Sequence, residues 1–293
     1  MKRKRGSTYS GRWFARETVY HTGDRIEGDL YPVFQRPGQR RKKSRPTSAI
    51  QARLNERNAA RKLTRLIHEN FSESDLTLHL TYRPGELPED EEAAKKDVRN
   101  FLRRMKRKYR AAGIEMKYIY VTERGTKSGR VHHHLILTGG VDRDELEKLW
   151  GKGYANSKRL QLEDEGAAPL AKYVTKDRWT YRRWTGSRNL VQPEPVQLDG
   201  AITQDELEEA AEAVEEGRGE AWLEKRYPGY RCVMIEAERN LVNRGTYIRY
   251  EMRRITPYPV KQGEKGRRKN ACGSGQDERE GTGAGLRERG GCR

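Results

Sequence analysis

The chain has 293 residues, of which 35% are charged and 33% hydrophobic, and its formal net charge is +18. Such a charge indicates a polyanionic partner, and nucleic acid is favoured over an anionic membrane surface because clustered Lys and Arg displace counterions from phosphates. There is no apolar run of 18 residues, and no apolar segment follows the basic start Met1 to Arg5, so we expect a cytoplasmic protein that neither enters nor spans a membrane.

The sequence pattern divides the chain into four segments. The first is rich in Gly, Pro, Ser and basic residues, and its alternating stretches from Trp13 to Tyr20 and from Leu30 to Phe34 predict a hairpin. The last is nearly free of apolar residues and is predicted to be disordered. The predicted domains are a basic extension (1–46), a central domain (47–190), an accessory α/β region (191–261) and a disordered tail (262–293).

The central segment alternates between helical and strand periodicity. Apolar residues recur at helical spacing from Ser48 to Asn70, and Leu76 to Tyr82 then alternate as in a half-buried strand. The element order that follows the first helix, β-α-β-β-α-β-α, predicts an α+β fold with a ferredoxin-like or RNA-recognition-like antiparallel sheet whose helices cover one face. After the first strand we expect a helix at 89–109, strands at 116–123 and 131–138, a helix at 142–150, a short strand at 159–162 and a helix at 167–175.

The predicted helix at 89–109 has one strongly basic face. Its outer positions include Arg103 and Arg107. A charged helix face is usually a solvated surface, and phosphate contact is the alternative. We keep Arg103 and Arg107 as candidate DNA contacts.

The accessory region is expected to contain one acidic amphipathic helix and two strands. The helix is predicted from Asp205 to Lys225, and the strands from Tyr230 to Glu236 and from Thr246 to Met252. The three cysteines, Cys232, Cys272 and Cys292, are too scattered to predict a disulfide framework or a cysteine zinc site.

Three consecutive histidines begin the strand predicted at 131–138. Alternation directs His132 and His134 to one face of the sheet and His133 to the other. A hairpin turn centred between residues 127 and 128 would pair Glu123 with His132 and place both on the same face. Two imidazoles and a carboxylate with open positions suit a divalent cation, Mn²⁺ or Mg²⁺, and zinc is chemically compatible. The alternative is that these strand histidines serve packing alone.

A second cluster lies on the helix predicted at 167–175. Tyr173 and Lys176 are three residues apart and Lys172 and Lys176 four apart, so their positions lie close together on a helix. A cation beside a phenol favours the phenolate and neutralises a phosphate. The alternative is a core tyrosine beside surface lysines.

The order of three segments, Leu78–Tyr82, Gly129–Leu137 and Leu170–Lys176, resembles the three motifs of HUH endonucleases. The resemblance is to rolling-circle replication initiators with one catalytic tyrosine, and it extends over roughly residues 47–190. Such enzymes cut one DNA strand, keep the 5′ phosphate on the tyrosine and release a 3′ hydroxyl for a polymerase.

The resemblance implies roles for individual residues. His132 and His134 would be metal ligands with Glu123 as the third, Tyr173 would be the nucleophile, and Lys176 would position it or balance its charge. Lys172 and Arg130 would contact DNA. The chain departs from the family at His133, where a bulky apolar residue is usual, and the next tyrosine, Tyr181, follows Tyr173 by eight residues instead of four, which favours a single nucleophile.

The implied partners are single-stranded origin DNA and a separate polymerase. A separate helicase is also expected, because the chain has no GxxxxGK[ST] phosphate-binding loop. A mobilisation relaxase or a single-strand transposase would use the same chemistry, and a metal-dependent hydrolase would use water instead of Tyr173. A non-catalytic nucleic-acid-binding protein is disfavoured, because the first strand carries Thr77, His79 and Thr81 in place of an aromatic platform.

Overall fold

The computed structural model describes residues 13–34, 49–125, 129–162, 166–175, 183–240 and 244–255, all within a compact unit formed by residues 1–258. These ranges contain two five-stranded sheets and six helices. The strands are β1 (Trp13–Thr22), β2 (Arg25–Phe34), β3 (Leu76–Thr81), β4 (Tyr118–Arg124), β5 (Val131–Leu137), β6 (Ala155–Arg159), β7 (Thr185–Gly186), β8 (Val196–Asp199), β9 (Tyr230–Arg239) and β10 (Thr246–Arg254). The helices are α1 (Ala49–Asn70), α2 (Glu91–Ala111), α3 (Arg143–Lys148), α4 (Ala168–Thr175), α5 (Gln204–Glu215) and α6 (Gly219–Arg226).

The central sheet has the strand order β6-β3-β5-β4-β7, and its pairings are antiparallel. The consecutive elements β3, α2, β4, β5, α3 and β6 form the split βαβ arrangement predicted for this segment. The predicted α+β class with an antiparallel sheet is therefore confirmed.

Helices lie against both faces of the central sheet. On one face α2 and α3 bury an apolar core that includes Leu80, Phe101 and Trp150. On the other face α1 and α4 pack against Ile119 and Ile136 near one end of the strands, within a second apolar cluster. The prediction of helices on one face was wrong in this respect, because α1 and α4 partly cover the second face.

The second sheet joins the two ends of the described chain. Its order is β8-β1-β2-β10-β9, so the hairpin of β1 and β2, which was predicted, pairs with the C-terminal strand β10. Helices α5 and α6 pack on one face of this sheet. The single acidic helix predicted for residues 205–225 is two helices, because the chain turns between them at Gly217, which has a φ of 74°.

Two other predictions need comment. The short strand expected at residues 159–162 lies earlier, at Ala155–Arg159, where Ala155 and Ser157 are buried and the residues between them are not. The polar sequence of this strand hides its alternation, and pairing with β3 holds it in place. The disordered tail predicted at 262–293 lies outside the described residues. Among the described helices, none has both the length and the apolar character that a membrane span requires.

A buried carboxylate links the second sheet to α6. Glu17 on β1 is fully buried, and its carboxylate accepts a 2.6 Å hydrogen bond from each of Arg226, Tyr227 and Tyr250. Burial alone raises the pKa of Glu17, but the bonds from Arg226 and the two phenols outweigh it and lower the pKa below its ordinary value. The ionised carboxylate therefore stabilises the folded state.

We expect Glu17→Gln to lower the free energy of unfolding at pH 7 by about 2–3 kcal/mol, because Arg226 loses its buried counterion. A group whose pKa is lowered by folding stabilises the protein above its unfolded pKa and ceases to do so as the pH falls through the folded pKa. The stability difference between wild type and variant should therefore shrink in urea melts as the pH falls below about 4.5. Glu209→Gln, an exposed control on α5, should show no such difference, and a gap that is constant with pH would contradict the role of Glu17.

Candidate metal centre

The strand register brings four chemically active side chains to one face of the central sheet. Glu123 on β4 pairs with His132 on β5, as the sequence predicted. On the other side of β5, His134 pairs with His79 of β3. These residues occupy the sheet face opposite α2 and α3, beside the part covered by α1 and α4.

The centre is built around three imidazoles. One ring nitrogen from each of His79, His132 and His134 lies within 4.8 Å of the other two. The rings of His79 and His134 are stacked with centroids 4.6 Å apart, and the His132 ring stands edge-on to both. All three residues are half-buried. This spacing is close enough for a single cation to be bound by all three rings.

His79 is the ligand candidate that the sequence analysis missed. It was considered only as part of a polar strand face that argued against base stacking. The useful signal was available in its alternation with Leu78 and Leu80, which directs it away from the core. What the sequence did not reveal is that β3 lies next to β5 in this register.

Glu123 contacts two members of the cluster. Its Oε2 lies 3.1 Å from His132 Nε2 and 3.6 Å from His134 Nε2. Burial raises the pKa of Glu123, but the two imidazoles outweigh burial and bring the pKa to about 2, so the side chain is a carboxylate. Its Oε1 is buried and has no hydrogen-bond partner among the described residues. An ionised, incompletely bonded carboxylate beside three imidazoles fits a divalent cation.

The protonation of the imidazoles is also compatible with cation binding. Burial, followed by the nearby rings of His134 and His132, lowers the pKa of His79 to about 4, so this imidazole is neutral near pH 7. Glu123 raises the pKa of His132 by accepting its hydrogen bond. His132 Nδ1 also lies 3.4 Å from the carbonyl oxygen of Arg130, an interaction that directs Nε2 towards the cluster.

His133 points to the opposite face and has a structural role. It is fully buried, with Nε2 2.9 Å from the hydroxyl of Tyr82 and Nδ1 2.8 Å from that of Thr122. Burial lowers its pKa to about 3, so the ring is neutral. The histidine in the place of the expected apolar residue therefore belongs to the core beneath the metal face, and His132 and His134 face the cluster as predicted.

Helix α4 carries the proposed nucleophile close to this face. Ala171 is buried against α1 and the sheet, and the backbone N–H of Ala167 donates a 2.8 Å hydrogen bond to His68 Nε2 of α1. Burial, together with Arg25, lowers the pKa of His68 to about 3, which keeps the ring neutral and able to accept this bond. Position 173 lies in α4, but the side chains of residues 172 and 173, and all of residue 176, are outside what the structure describes.

The arginines predicted to contact DNA lie on different sides of the sheet. Arg130 is exposed and lies two residues before His132, next to the cluster. Arg103 and Arg107 are exposed on the outer side of α2, which packs on the opposite face of the sheet. The structure therefore does not bring Arg103 and Arg107 together with the histidines.

A cavity of about 330 Å³ adjoins the cluster. His79 and His134 form part of its wall, and apolar side chains of α1, α4 and β4 form much of the rest. Leu170 of α4 also lines it, so this cavity lies between the metal face and the helix that contains position 173.

Comparison with known proteins gives one family match. Residues 75–178 match the model of a family described as Replication-associated protein ORF2. No curated protein and no solved structure matches the chain significantly. The matched range begins just before β3 and ends just after α4, so it contains the whole histidine cluster, Glu123 and position 173, and it supports a role in replication for this part of the chain.

Proposed function

We propose that the protein is a metal-dependent DNA strand transferase that nicks and rejoins single-stranded origin DNA to initiate rolling-circle replication. The observation that carries the proposal is the cluster of His79, His132 and His134, which lies inside the range that matches a replication-associated family. Neither feature is needed by a protein that only binds DNA.

The donor set narrows the choice of cation. Imidazole nitrogen is a common ligand for Mn²⁺ and for zinc, whereas Mg²⁺ prefers oxygen ligands and keeps its waters. With three imidazoles and one carboxylate in the cluster, we favour Mn²⁺ over Mg²⁺. When bound, the cation would polarise a phosphoryl oxygen of the scissile phosphate. Glu123 would either bind it directly or hold His132 and His134 in position.

Tyr173 is the proposed nucleophile. Leu170, one helical turn earlier on α4, lines the same cavity as His79 and His134, which supports a position for residue 173 near the metal face. The phenolic oxygen would attack the phosphorus in line with the leaving 3′ oxygen. A bond from tyrosine to phosphorus forms, the bond from phosphorus to the 3′ oxygen breaks, and the departing oxygen takes the proton that the phenol loses.

The neighbouring cations would assist this transfer. Lys176 would favour the phenolate and balance the charge on the phosphate, and Lys172 and Arg130 would hold the DNA backbone. The phosphotyrosine link conserves the energy of the broken bond, so the strand can be rejoined without ATP. A separate helicase and a polymerase would complete replication.

We expect His79→Ala to weaken Mn²⁺ binding by more than about 10-fold, because one of three imidazole ligands is lost. Isothermal titration of the full chain with Mn²⁺ and with Mg²⁺ measures the change and the preference between the two cations. His21→Ala, which removes an exposed histidine of β1, is the matched control. If His79→Ala binds Mn²⁺ as tightly as the control does, His79 is not a ligand.

We expect Tyr173→Phe to abolish covalent attachment to DNA while single-strand binding stays within about twofold, because only the hydroxyl is removed. An origin oligonucleotide labelled at its 3′ end and incubated with Mn²⁺ should give a labelled protein band that survives denaturant. The same oligonucleotide labelled at its 5′ end should give a shorter free product. Tyr247→Phe, on β10 of the second sheet, should behave as wild type.

The outcomes separate the competing mechanisms. An adduct that persists in Tyr173→Phe would exclude Tyr173 as the nucleophile. Cleavage that leaves free 5′ phosphate ends and does not depend on Tyr173 would indicate hydrolysis by water. A nick at a transfer origin or an element end, instead of a replication origin, would assign the same chemistry to a relaxase or a transposase.

A further inference from the structure

The edge strand β6 presents a row of polar side chains next to the histidine cluster. Asn156 pairs with His79, and Lys158 pairs with Thr77, on the face that carries the cluster. The residues between them point into the core, where the backbone N–H and the hydroxyl of Ser157 both donate 2.6 Å bonds to Glu147 of α3. The edge is therefore anchored from below, and its outer residues face the same solvent as the cluster.

Tyr154, directly before β6, is an exposed aromatic residue on this edge. Its side chain is 64% exposed, whereas Tyr82, Tyr109 and Tyr120 of the same domain are buried. Its hydroxyl accepts a 3.1 Å hydrogen bond from Asn156 Nδ2, which confirms that the ring lies on the side of Asn156. No contact within the described residues requires so large an apolar ring to be exposed to water.

The distance from Tyr154 to the cluster is short. The Tyr154 carbonyl accepts a 2.8 Å hydrogen bond from the N–H of Thr81, and Thr81 pairs with His132. Tyr154 is thus two strands from His132, or about 10 Å at ordinary strand spacing. A dinucleotide spans such a distance.

The surface between them has the chemistry of a nucleotide-binding site. The 330 Å³ cavity is lined by Asn156 and Lys158 on one side and by His79 and His134 on the other. This volume lies within the range of small-molecule sites, and its walls are mainly apolar. Lys158 is exposed and forms no ion pair with a described residue, so its charge is available to a phosphate.

We propose that the β6 edge is the track by which single-stranded DNA reaches the histidine cluster. Tyr154 stacks on one unpaired base, the cavity receives the next base, and Lys158 neutralises the phosphate between them. Base stacking on an exposed aromatic and phosphate neutralisation by a nearby cation are the two interactions by which proteins hold single strands. The choice of DNA as the occupant rests on the proposed function and on the net charge of +18.

The test is binding of a fluorescent oligothymidine to the full chain, followed by anisotropy in EDTA so that no cleavage occurs. Tyr154→Ala should weaken binding at least fivefold, whereas Tyr154→Phe, which keeps the ring, should stay within about twofold of wild type. Both variants should melt with the wild type, because residue 154 is exposed.

A charge-matched pair tests the phosphate contact. Lys158→Ala should weaken binding and reduce the slope of log affinity against log salt by about 0.7, the value for one phosphate contact on a single strand. Lys96→Ala removes the same charge from an exposed position on α2, on the opposite face of the sheet, and should leave both quantities unchanged.

Two results would overturn the track. One is wild-type affinity in Tyr154→Ala, and the other is equal weakening by Tyr154→Ala and Tyr154→Phe, which would show that the ring does not stack. Neither depends on the chemistry at Tyr173. If Tyr154→Ala weakens binding but wild type forms no adduct, the track stands and the proposed nicking activity fails. If the adduct forms while Tyr154→Ala binds normally, the track alone fails.

Discussion

The candidate site depends on the register of three adjacent antiparallel strands. A shift of one residue between β5 and its neighbours would turn His132 and His134 into the apolar core and bring His133 to the surface. The buried hydrogen bonds of His133 to Tyr82 and Thr122 oppose such a shift, because each would leave a polar atom unsatisfied in the core. The middle histidine of the triplet thus stabilises the arrangement that the outer two need.

The second sheet contributes to the site through α1. Glu27 on β2 accepts two 2.7 Å bonds from Arg65 of α1, and Arg25, also on β2, donates to the carbonyl of Leu162 shortly before α4. His68, near the end of α1, then accepts the bond from Ala167 at the start of α4. Segments outside the range that matches the replication-associated family therefore fix the helix on which position 173 lies.

Much of the central domain was predictable because its periodicity is strong. The long helices α1 and α2 and the strands around His79 and His132 followed from apolar spacing, and the pairing of Glu123 with His132 followed from the turn between β4 and β5. The role of His79 could not be predicted in this way, since it depends on a pairing between strands that are distant in sequence. The strand β6 was misplaced because its sequence is almost entirely polar, although that same polarity forms the surface beside the cluster.

The central claim is that one cation, three imidazoles and the phenol of Tyr173 act on the same phosphate. It is tested most directly by a crystal structure of the Tyr173→Phe protein with Mn²⁺ and a single-stranded origin oligonucleotide, with the metal located by its anomalous scattering. The account predicts a manganese peak between His79, His132 and His134, with a DNA phosphate bound to it and the ring of residue 173 beside the phosphorus, opposite the 3′ oxygen. A manganese peak elsewhere, or a metal-bound phosphate with residue 173 far from it, would contradict the account.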